Sequence, residues 1–247
     1  MRASNRAFDE LRKVKITADY LDFSDGSALI EIGKTRIITS ATIEERVPLF
    51  LKNSGTGWIT AEYSMLPSAT EKRTVRERNQ LRISGRNQEI QRLIGRSLRG
   101  VTDLSILGER TILIDCDVIQ ADGGTRTASI SGSCIALAIA LKKLLDNKMI
   151  DVLPLKHLVS AVSAGIMNGN VLLDLDYNED SQADVDINVV ETDNGRLVEV
   201  QATGEEYSFS RRELDSLLKL AHKGIIEIQN IQKDVLKKKS ILFMAYR

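Results

Sequence analysis

The chain has 247 residues, and its 34 basic and 34 acidic side chains cancel to a formal net charge of zero. A chain of this length can bury a sizeable core, whereas the balanced charge excludes nucleic-acid binding that depends on a global positive field. Two cysteines in apolar patterns and no secretory leader predict buried thiols in a reducing cytoplasm.

The chain opens with a predicted hairpin, which a basic segment follows. Residues 28–32 and 36–43 alternate as strands on either side of a short turn. Between residues 71 and 99 the chain carries nine Lys or Arg against three Glu, which is a local excess of positive charge. Residues 82–99 have helical spacing, which predicts a helix with one apolar face. The residues of that buried stripe are Ile90, Leu93, Ile94 and Leu98.

The arginines of this helix have two interpretations. Arg92, Arg96 and Arg99 share a second face, and each of them singly is best explained as part of a solvated basic surface. Arg86 lies near the helix start, where a cation is unfavourable beside unpaired N–H groups unless an anion binds there. We therefore expect Arg86 to bind an anion.

A phosphate-binding turn is predicted between a strand and a helix. Residues 111–119 alternate as a strand, Gly123 and Gly124 break it, and residues 127–145 have the pattern of a helix. Consecutive glycines let N–H groups converge on one anion, and the helix dipole favours the same charge. Thr125 adds a hydroxyl, and Arg126 adds a planar cationic fork. The longest apolar run, residues 134–141, is far too short to span a membrane.

An acidic segment supplies the opposite charge. Residues 174–190 hold five Asp and one Glu, and after a turn near residue 180 the chain alternates as a strand. That alternation places Asp184, Asp186 and Asn188 on the face opposite the buried one. Neighbouring carboxylates repel unless a cation lies between them. Hard oxygen ligands suit Mg²⁺ or Mn²⁺, although an acidic loop with no role is the common alternative.

The second half repeats the mixed pattern of the first. Asn-Gly pairs at 168–169 and 194–195 predict hairpin turns of type I′. Ser210 and Glu213 have the spacing of a capping box, which starts a helix with a broad apolar face. The predicted fold class is therefore α+β, with two β-α halves packed together and a seam near residues 145–156.

Five segments together carry a family resemblance, namely residues 57–67, 84–96, 115–127, 176–181 and 209–218. In this order they resemble the ribonuclease PH family over about residues 11–237. The resemblance implies one domain of the ribosomal protein S5 domain 2-like fold, with halves at about 11–145 and 156–238. The family often opens with Arg-Pro-Asp-Gly-Arg, whereas this chain has Arg2-Ala-Ser-Asn-Arg6. The tail, residues 239–247, has no assigned role.

The resemblance also implies roles for individual residues. It assigns the nucleophilic phosphate to Arg86, Gly124, Thr125 and Arg126. It assigns the divalent metal and proton transfer to Asp180 and Asp186, with a weaker catalytic role for Asp184. It matches a loop set, Arg73, Arg76 and Arg78, to the family's RNA-contacting loop. The excess positive charge of the basic segment adds a helix set of predicted RNA contacts, Arg92, Arg96 and Arg99.

The expected activity is phosphorolytic 3′→5′ trimming of RNA, chiefly tRNA precursors, with inorganic phosphate as co-substrate and Mg²⁺, or Mn²⁺, as cofactor. The family further implies a homo-hexamer built as a trimer of dimers. Two alternatives remain. A non-catalytic RNA-binding ring subunit would keep the basic face, and a metal-dependent hydrolase would use the carboxylates but leave Arg86 and the glycine turn without a purpose.

Overall fold

The first half of the chain forms a five-stranded sheet with its helices. The computed structural model describes residues 2, 5–76, 84–204 and 207–241. The strand order is β1-β2-β3-β5-β4, with β4 parallel to β5 and the other pairs antiparallel. The elements are β1 (Val14–Ala18), β2 (Gly26–Ile32), β3 (Thr35–Glu44), a 3₁₀ turn (Leu49–Leu51), β4 (Trp58–Met65), α1 (Gly85–Val101), α2 (Leu104–Leu107), β5 (Thr111–Gln120) and α3 (Thr125–Asp146).

The second half forms a four-stranded antiparallel sheet in the order β7-β6-β8-β9. Its core packs against the last helix, through residues such as Ile187, Leu217 and Ile225. The elements are β6 (Val159–Met167), β7 (Asn170–Leu173), α4 (Tyr177–Asp180), β8 (Val185–Thr192), β9 (Leu197–Gly204) and α5 (Arg211–Lys238).

Helix α3 lies between the two sheets and contacts β2, β3 and β6. Its small side chains allow close approach: a Cβ added to Gly132 would lie 2.9 Å from Ile30 Cγ2 and 3.0 Å from Thr39 Cγ2. By length and composition alone α3 could cross a membrane, yet 78% of its most apolar stretch is buried inside the fold. We therefore interpret α3 as the central core helix.

The helix starts follow the capping chemistry. Ser210 Oγ accepts from the Glu213 N–H, and the Glu213 carboxylate accepts from the Ser210 N–H, which confirms the capping box. Helix α1 begins after Ser84, whose side chain accepts from the Asn87 N–H. Helix α3 begins at Thr125, two residues before the predicted start, because Gly124 at its N-cap adopts the left-handed conformation with φ 66°. Thr125 and Arg126 consequently belong to the first turn of α3.

The two Asn-Gly turns differ. Asn168 and Gly169 both have positive φ, 51° and 72°, as a type I′ hairpin between β6 and β7 requires. At the second turn only Gly195 has positive φ, 77°, and β8 and β9 are separated by residues 193–196. The type I′ prediction for residues 194–195 was therefore wrong, because a four-residue connection does not need two left-handed residues.

Both thiols are predicted to be unreactive in the folded protein. Cys116 and Cys134 are buried and free, and burial raises the pKa of each to about 12. Because the thiolate is the reactive form, we expect a colorimetric thiol reagent at pH 8 to modify neither residue before denaturant is added, and both afterwards. Rapid modification of either thiol in the native protein would contradict this burial.

Candidate active site

The predicted phosphate-binding turn joins β5 to α3. Gly123 and Gly124 have φ values of 75° and 66°, and the first turn of α3 contains no acidic residue. The N–H groups at this helix start therefore favour an anion. A Cβ added to Gly123 would lie 2.5 Å from Leu175 O and 2.7 Å from Asp176 C. The turn thus packs against the backbone that leads into α4.

Two side chains from the start of the chain hold this turn in place. Thr35 Oγ1 donates to Gly123 O at 2.7 Å and accepts from the Asp122 N–H at 2.9 Å. Arg12 donates to Asp122 O. Arg12 is itself fixed by Asp174, whose carboxylate accepts from Nε at 2.9 Å and from Nη2 at 2.6 Å. These contacts fix the carbonyl groups of the turn.

The start of α3 lies beside Tyr63 of β4. The buried Tyr63 hydroxyl donates to Thr125 Oγ1 at 2.8 Å. Burial raises the pKa of the Tyr63 phenol, and the Thr125 hydroxyl and the positive charges of Arg86 and Arg126 oppose that rise. Both guanidinium groups therefore act on the same phenol. The structure thus places Thr125 in contact with Tyr63, and Arg86 of α1 and Arg126 of α3 near enough for their charges to act on it. Residues 77–83 before α1 lie outside the described part of the chain.

Strand β9 fixes the Arg126 side chain. Arg126 Nη1 donates to Gln201 Oε1 at 3.0 Å and lies 3.8 Å from Glu89 Oε1. Gln201 Nε2 donates in turn to Glu89 at 2.9 Å and to Glu199 at 3.2 Å. The guanidinium is thus held at the helix start by groups from α1 and from the second sheet.

Asp186 lies two residues along β8 from Asn188, and the partner of Asn188 on β6, Ser163, is close to this turn. In β8, Asn188 pairs with Ser163 and Gln201, and Asp186 pairs with Gly165 and Thr203. A Cβ added to Gly124 would lie 3.9 Å from Ser163 Oγ. Residues two apart in a strand share a face and are separated by roughly 7 Å. The Asp186 carboxyl group is therefore on the sheet face that borders the phosphate-binding turn.

Asp180 and Asp184 have different surroundings. Asp180 is exposed and is the last residue of α4, the one-turn helix that follows the backbone packed on Gly123. Asp184 precedes β8, and its Oδ2 accepts from the Asn168 N–H at 3.1 Å. Its carboxylate thus closes the β6–β7 turn, and its supporting role in catalysis stays a prediction.

Few protein side chains are predicted to bind the divalent metal ion. Within the described ranges, no group of three or more His, Cys, Asp or Glu side chains is arranged to hold a metal ion. The ligands that the family resemblance predicts are Asp180 and Asp186. Mg²⁺ commonly uses one or two carboxylates plus substrate phosphate oxygens, so two carboxylates have the chemistry for an ion that binds together with substrate, and this metal site stays a prediction.

The predicted RNA contacts divide into accessible and engaged arginines. Arg73 and Arg76 are exposed on the loop after β4, and Arg92 is exposed on α1, whereas Arg78 lies outside the described residues. Arg96 forms a two-pronged pair with Glu199, at 2.8 and 3.1 Å. The Arg99 guanidinium lies 4.3 Å from the Trp58 ring centroid and donates to Ile59 O at 2.7 Å.

The helix set is thus not one solvated surface. Arg99 is half-buried, because the ring face of Trp58 and a backbone carbonyl group satisfy its cation. The interpretation of Arg99 as part of a solvated face was wrong. RNA binding by Arg96 would require it to exchange Glu199 for a phosphate group.

Several side chains at this site carried no signal in the sequence. Tyr63, Arg12, Thr35 and Gln201 each contact the phosphate-binding turn or its ligands, but none has a spacing that indicates a site. Tyr63 does lie inside the family motif at residues 57–67, which could have drawn attention to it.

Solved structures share this fold. Rice Rrp46 aligns with a TM-score of 0.77 and 22% identity over 95% of this chain and 100% of that chain. An exosome from Archaeoglobus fulgidus, solved with RNA bound to its active site, aligns with a TM-score of 0.80 and 22% identity over 93% of this chain and 91% of that chain. These similarities confirm the predicted α+β fold of two β-α halves, which is ribosomal protein S5 domain 2-like.

Sequence comparisons identify the family. Models of the 3′ exoribonuclease family match residues 10–143 with domain 1 and residues 157–224 with domain 2. A protein named Ribonuclease PH from Syntrophomonas wolfei is 56% identical over 235 residues, covering 95% of this chain and 98% of that protein. Another from Moorella thermoacetica is 57% identical over 236 residues, covering 96% of this chain and 94% of that protein. The chain belongs to the 3′ exoribonuclease family, among its ribonuclease PH members.

Proposed function

We propose that the protein is a phosphorolytic 3′→5′ exoribonuclease that trims RNA, chiefly tRNA precursors. The observation that carries this proposal is the start of α3, where Tyr63 donates to Thr125 and the positive charges of Arg86 and Arg126 act on the same phenol. A phosphate bound there would lie beside the backbone leading to Asp180 and the sheet face carrying Asp186. The family membership supports the same activity.

The reaction exchanges one phosphate bond for another. An oxygen of inorganic phosphate attacks the phosphorus of the last phosphodiester, and the bond from that phosphorus to the penultimate 3′ oxygen breaks. A nucleoside diphosphate is released. The guanidinium groups of Arg86 and Arg126 and the N–H groups at the α3 start stabilise charge on the phosphate oxygens. Because the exchange is nearly balanced, the same site also adds nucleotides from diphosphates.

The carboxyl groups act on the leaving oxygen. Asp180 or Asp186 delivers a proton to the penultimate 3′ oxygen as its bond to phosphorus breaks. A Mg²⁺ or Mn²⁺ ion held by these two residues would supply further neutralisation of charge when bound. The same carboxylates in a hydrolase would activate water, but that mechanism gives the phosphate ligands around Tyr63 no purpose.

A trimming assay separates this proposal from its rivals. The substrate is a tRNA with a short 3′ extension, incubated with protein and Mg²⁺ in the presence and absence of inorganic phosphate. Trimming that needs phosphate and stops in excess chelator supports the proposal. Equal trimming without phosphate would indicate the hydrolase, and RNA binding without trimming would indicate the non-catalytic ring subunit.

Tyr63→Phe is expected to weaken phosphate binding with little effect on folding. The Tyr63 hydroxyl donates to Thr125 Oγ1, so the hydroxyl hydrogen of Thr125 is directed elsewhere, towards a bound anion. Loss of this hydrogen bond is expected to weaken phosphate binding by about 0.5–1.5 kcal/mol. The KM for phosphate should therefore rise roughly 3- to 10-fold. An unchanged KM for phosphate in the folded variant would show that Tyr63 does not orient Thr125.

The assembly and location are further parts of the proposal. We expect a ring-shaped homo-hexamer, a trimer of dimers, acting in the cytoplasm. Exposed apolar side chains, among them Phe23, Leu49 and Phe50, offer surface that such contacts would cover. Sizing at micromolar concentration that gives only a 27.4 kDa monomer would contradict the hexamer.

A further inference from the structure

We propose that Arg2 and Arg6, at the start of the chain, are positioning residues for Asp180. They hold helix α4 through Glu179, the residue that immediately precedes Asp180. This inference rests on the proposed function, because it concerns the geometry of a carboxyl group assigned to that reaction.

Arg2 forms a buried, two-pronged pair with Glu179. Its Nε donates to Glu179 Oε1 at 2.7 Å, and its Nη2 donates to Oε2 at 2.6 Å. Arg2 is 3% exposed and Glu179 is 5% exposed. Charged hydrogen bonds of this geometry are strong and directional. Removal of Arg2 would take these two short bonds from the buried Glu179 carboxylate and leave it the longer contact from Arg6 at 3.3 Å, which destabilises that segment.

Helix α4 depends on this pair because it is a single turn. A four-residue helix (Tyr177–Asp180) has too few internal hydrogen bonds to be stable by itself. Its capping box uses the same carboxylate: Glu179 Oε2 accepts from the Asp176 N–H at 3.1 Å. Arg6 Nη2 donates to that oxygen at 3.3 Å. The cap of α4 and both arginines therefore meet at one carboxylate.

Further hydrogen bonds hold Arg2 beside Asn5 and beside the residues that lead into α4. Asn5 has φ 56°, a left-handed conformation that asparagine tolerates, and its N–H donates to Arg2 O at 3.0 Å. Arg2 Nη1 also donates to Leu173 O at 2.8 Å, and Nη2 donates to Asp174 O at 3.0 Å.

Those last contacts connect α4 to the phosphate-binding turn. Asp174, whose carbonyl group accepts from Arg2, holds Arg12 through its carboxylate, and Arg12 binds the turn at Asp122 O. Arg2 therefore anchors the chain on both sides of residue 176, between the phosphate-binding turn and Asp180. Loss of Arg2 is expected to displace Asp180, whereas the phosphate site formed by Arg86 and Arg126 persists.

The test compares Arg2→Met with the conservative Arg2→Lys. We expect Arg2→Met to lower kcat about 10- to 10²-fold, the range that a displacement of about 1 Å can produce. The KM values for phosphate and RNA should change less than about twofold, since their ligands lie elsewhere. Arg2→Lys, which keeps one charged donor, should recover part of the loss. Normal kcat in a folded Arg2→Met variant would overturn the inference.

A second variant shows whether Arg2 acts through Asp180. If it does, Arg2→Met should cause little further loss in an Asp180→Asn background. Multiplication of the two losses would instead mean independent effects and would overturn the inference. The control is Lys223→Met, which removes a different ion pair of the N-terminal segment, between Lys223 Nζ and the Asp9 carboxylate at 2.6 Å. This variant should leave kcat unchanged.

Folding is monitored by circular dichroism and thermal unfolding. If Arg2→Met fails to fold, Arg6→Met replaces it, because the ion pairs of Arg6 with the Glu179 and Asp174 carboxylates are longer, 3.3 and 3.4 Å. The kcat of that variant should fall several-fold, and an unchanged kcat would overturn the inference. Absence of phosphate-dependent trimming by the unaltered protein would instead reject the proposed function itself.

Discussion

Asp180→Asn is expected to leave a folded protein whose kcat is lower by about 10²–10³-fold. Removing one preorganised group that stabilises a developing charge typically costs about 2.7–4 kcal/mol in the transition state. Asparagine matches aspartate in size but neither carries the charge nor delivers the proton. Because Asp180 is exposed at the end of α4, the substitution should hardly change stability. The measurement is kcat at saturating phosphate and Mg²⁺, with the melting temperature recorded beside it.

The matched control is Asp9→Asn. Asp9 is likewise an exposed aspartate, and it pairs with Lys223 rather than with any group of the site. This variant should keep the kcat of the unaltered protein. Asp184→Asn should lie between the two, because its carboxylate closes the β6–β7 turn. Near-normal turnover by a folded Asp180→Asn variant would remove Asp180 from the mechanism.

Arg126→Ala is expected to lower kcat/KM for phosphate by at least about 10²-fold, again the effect of losing one fixed charge-stabilising donor. The charge at the α3 start disappears, and Gln201 loses its donor at 3.0 Å. Arg126→Lys should recover part of the activity, since it restores the charge but not the planar fork. A phosphate titration at fixed RNA gives the two constants, and a separate binding assay should show that RNA still binds.

Arg110→Ala provides the control for this arginine. The Arg110 side chain is 21% exposed and pairs with Glu45, while that of Arg126 is 22% exposed. The two substitutions therefore remove guanidinium groups of similar exposure, of which only Arg126 lies at the proposed phosphate site. Equal losses from both variants would mean that Arg126 acts through general stability and would contradict its assignment as a phosphate ligand.

Local patterns in the sequence were sufficient to predict the strands, the helix and the turn that form the candidate site. Alternation predicted β5 and β8, helical spacing predicted α1, and the glycine pair predicted the turn before α3. Each of these signals depends on neighbours within a few residues, where backbone geometry fixes which side chains share a face. The position of Asp186 on the face opposite Val185 and Ile187 follows from the same rule.

Partners distant in the chain could not be predicted in this way. Tyr63 lies 62 residues from Thr125, Arg12 lies 162 from Asp174, and Arg2 lies 177 from Glu179. No periodicity records such pairings, because they arise only when the two sheets pack on α3. The same limit explains Arg99: its position on a polar helix face was evident, but the Trp58 ring that covers it comes from another strand.

The most direct test of phosphorolysis follows the phosphorus atom of the co-substrate. A tRNA with a short 3′ extension is incubated with the protein, Mg²⁺ and isotopically labelled inorganic phosphate, and the released nucleotides are separated. Our account predicts nucleoside diphosphates that carry the label in the β-phosphate, with one label for each nucleotide removed. Unlabelled nucleoside monophosphates, released at the same rate without phosphate, would contradict it.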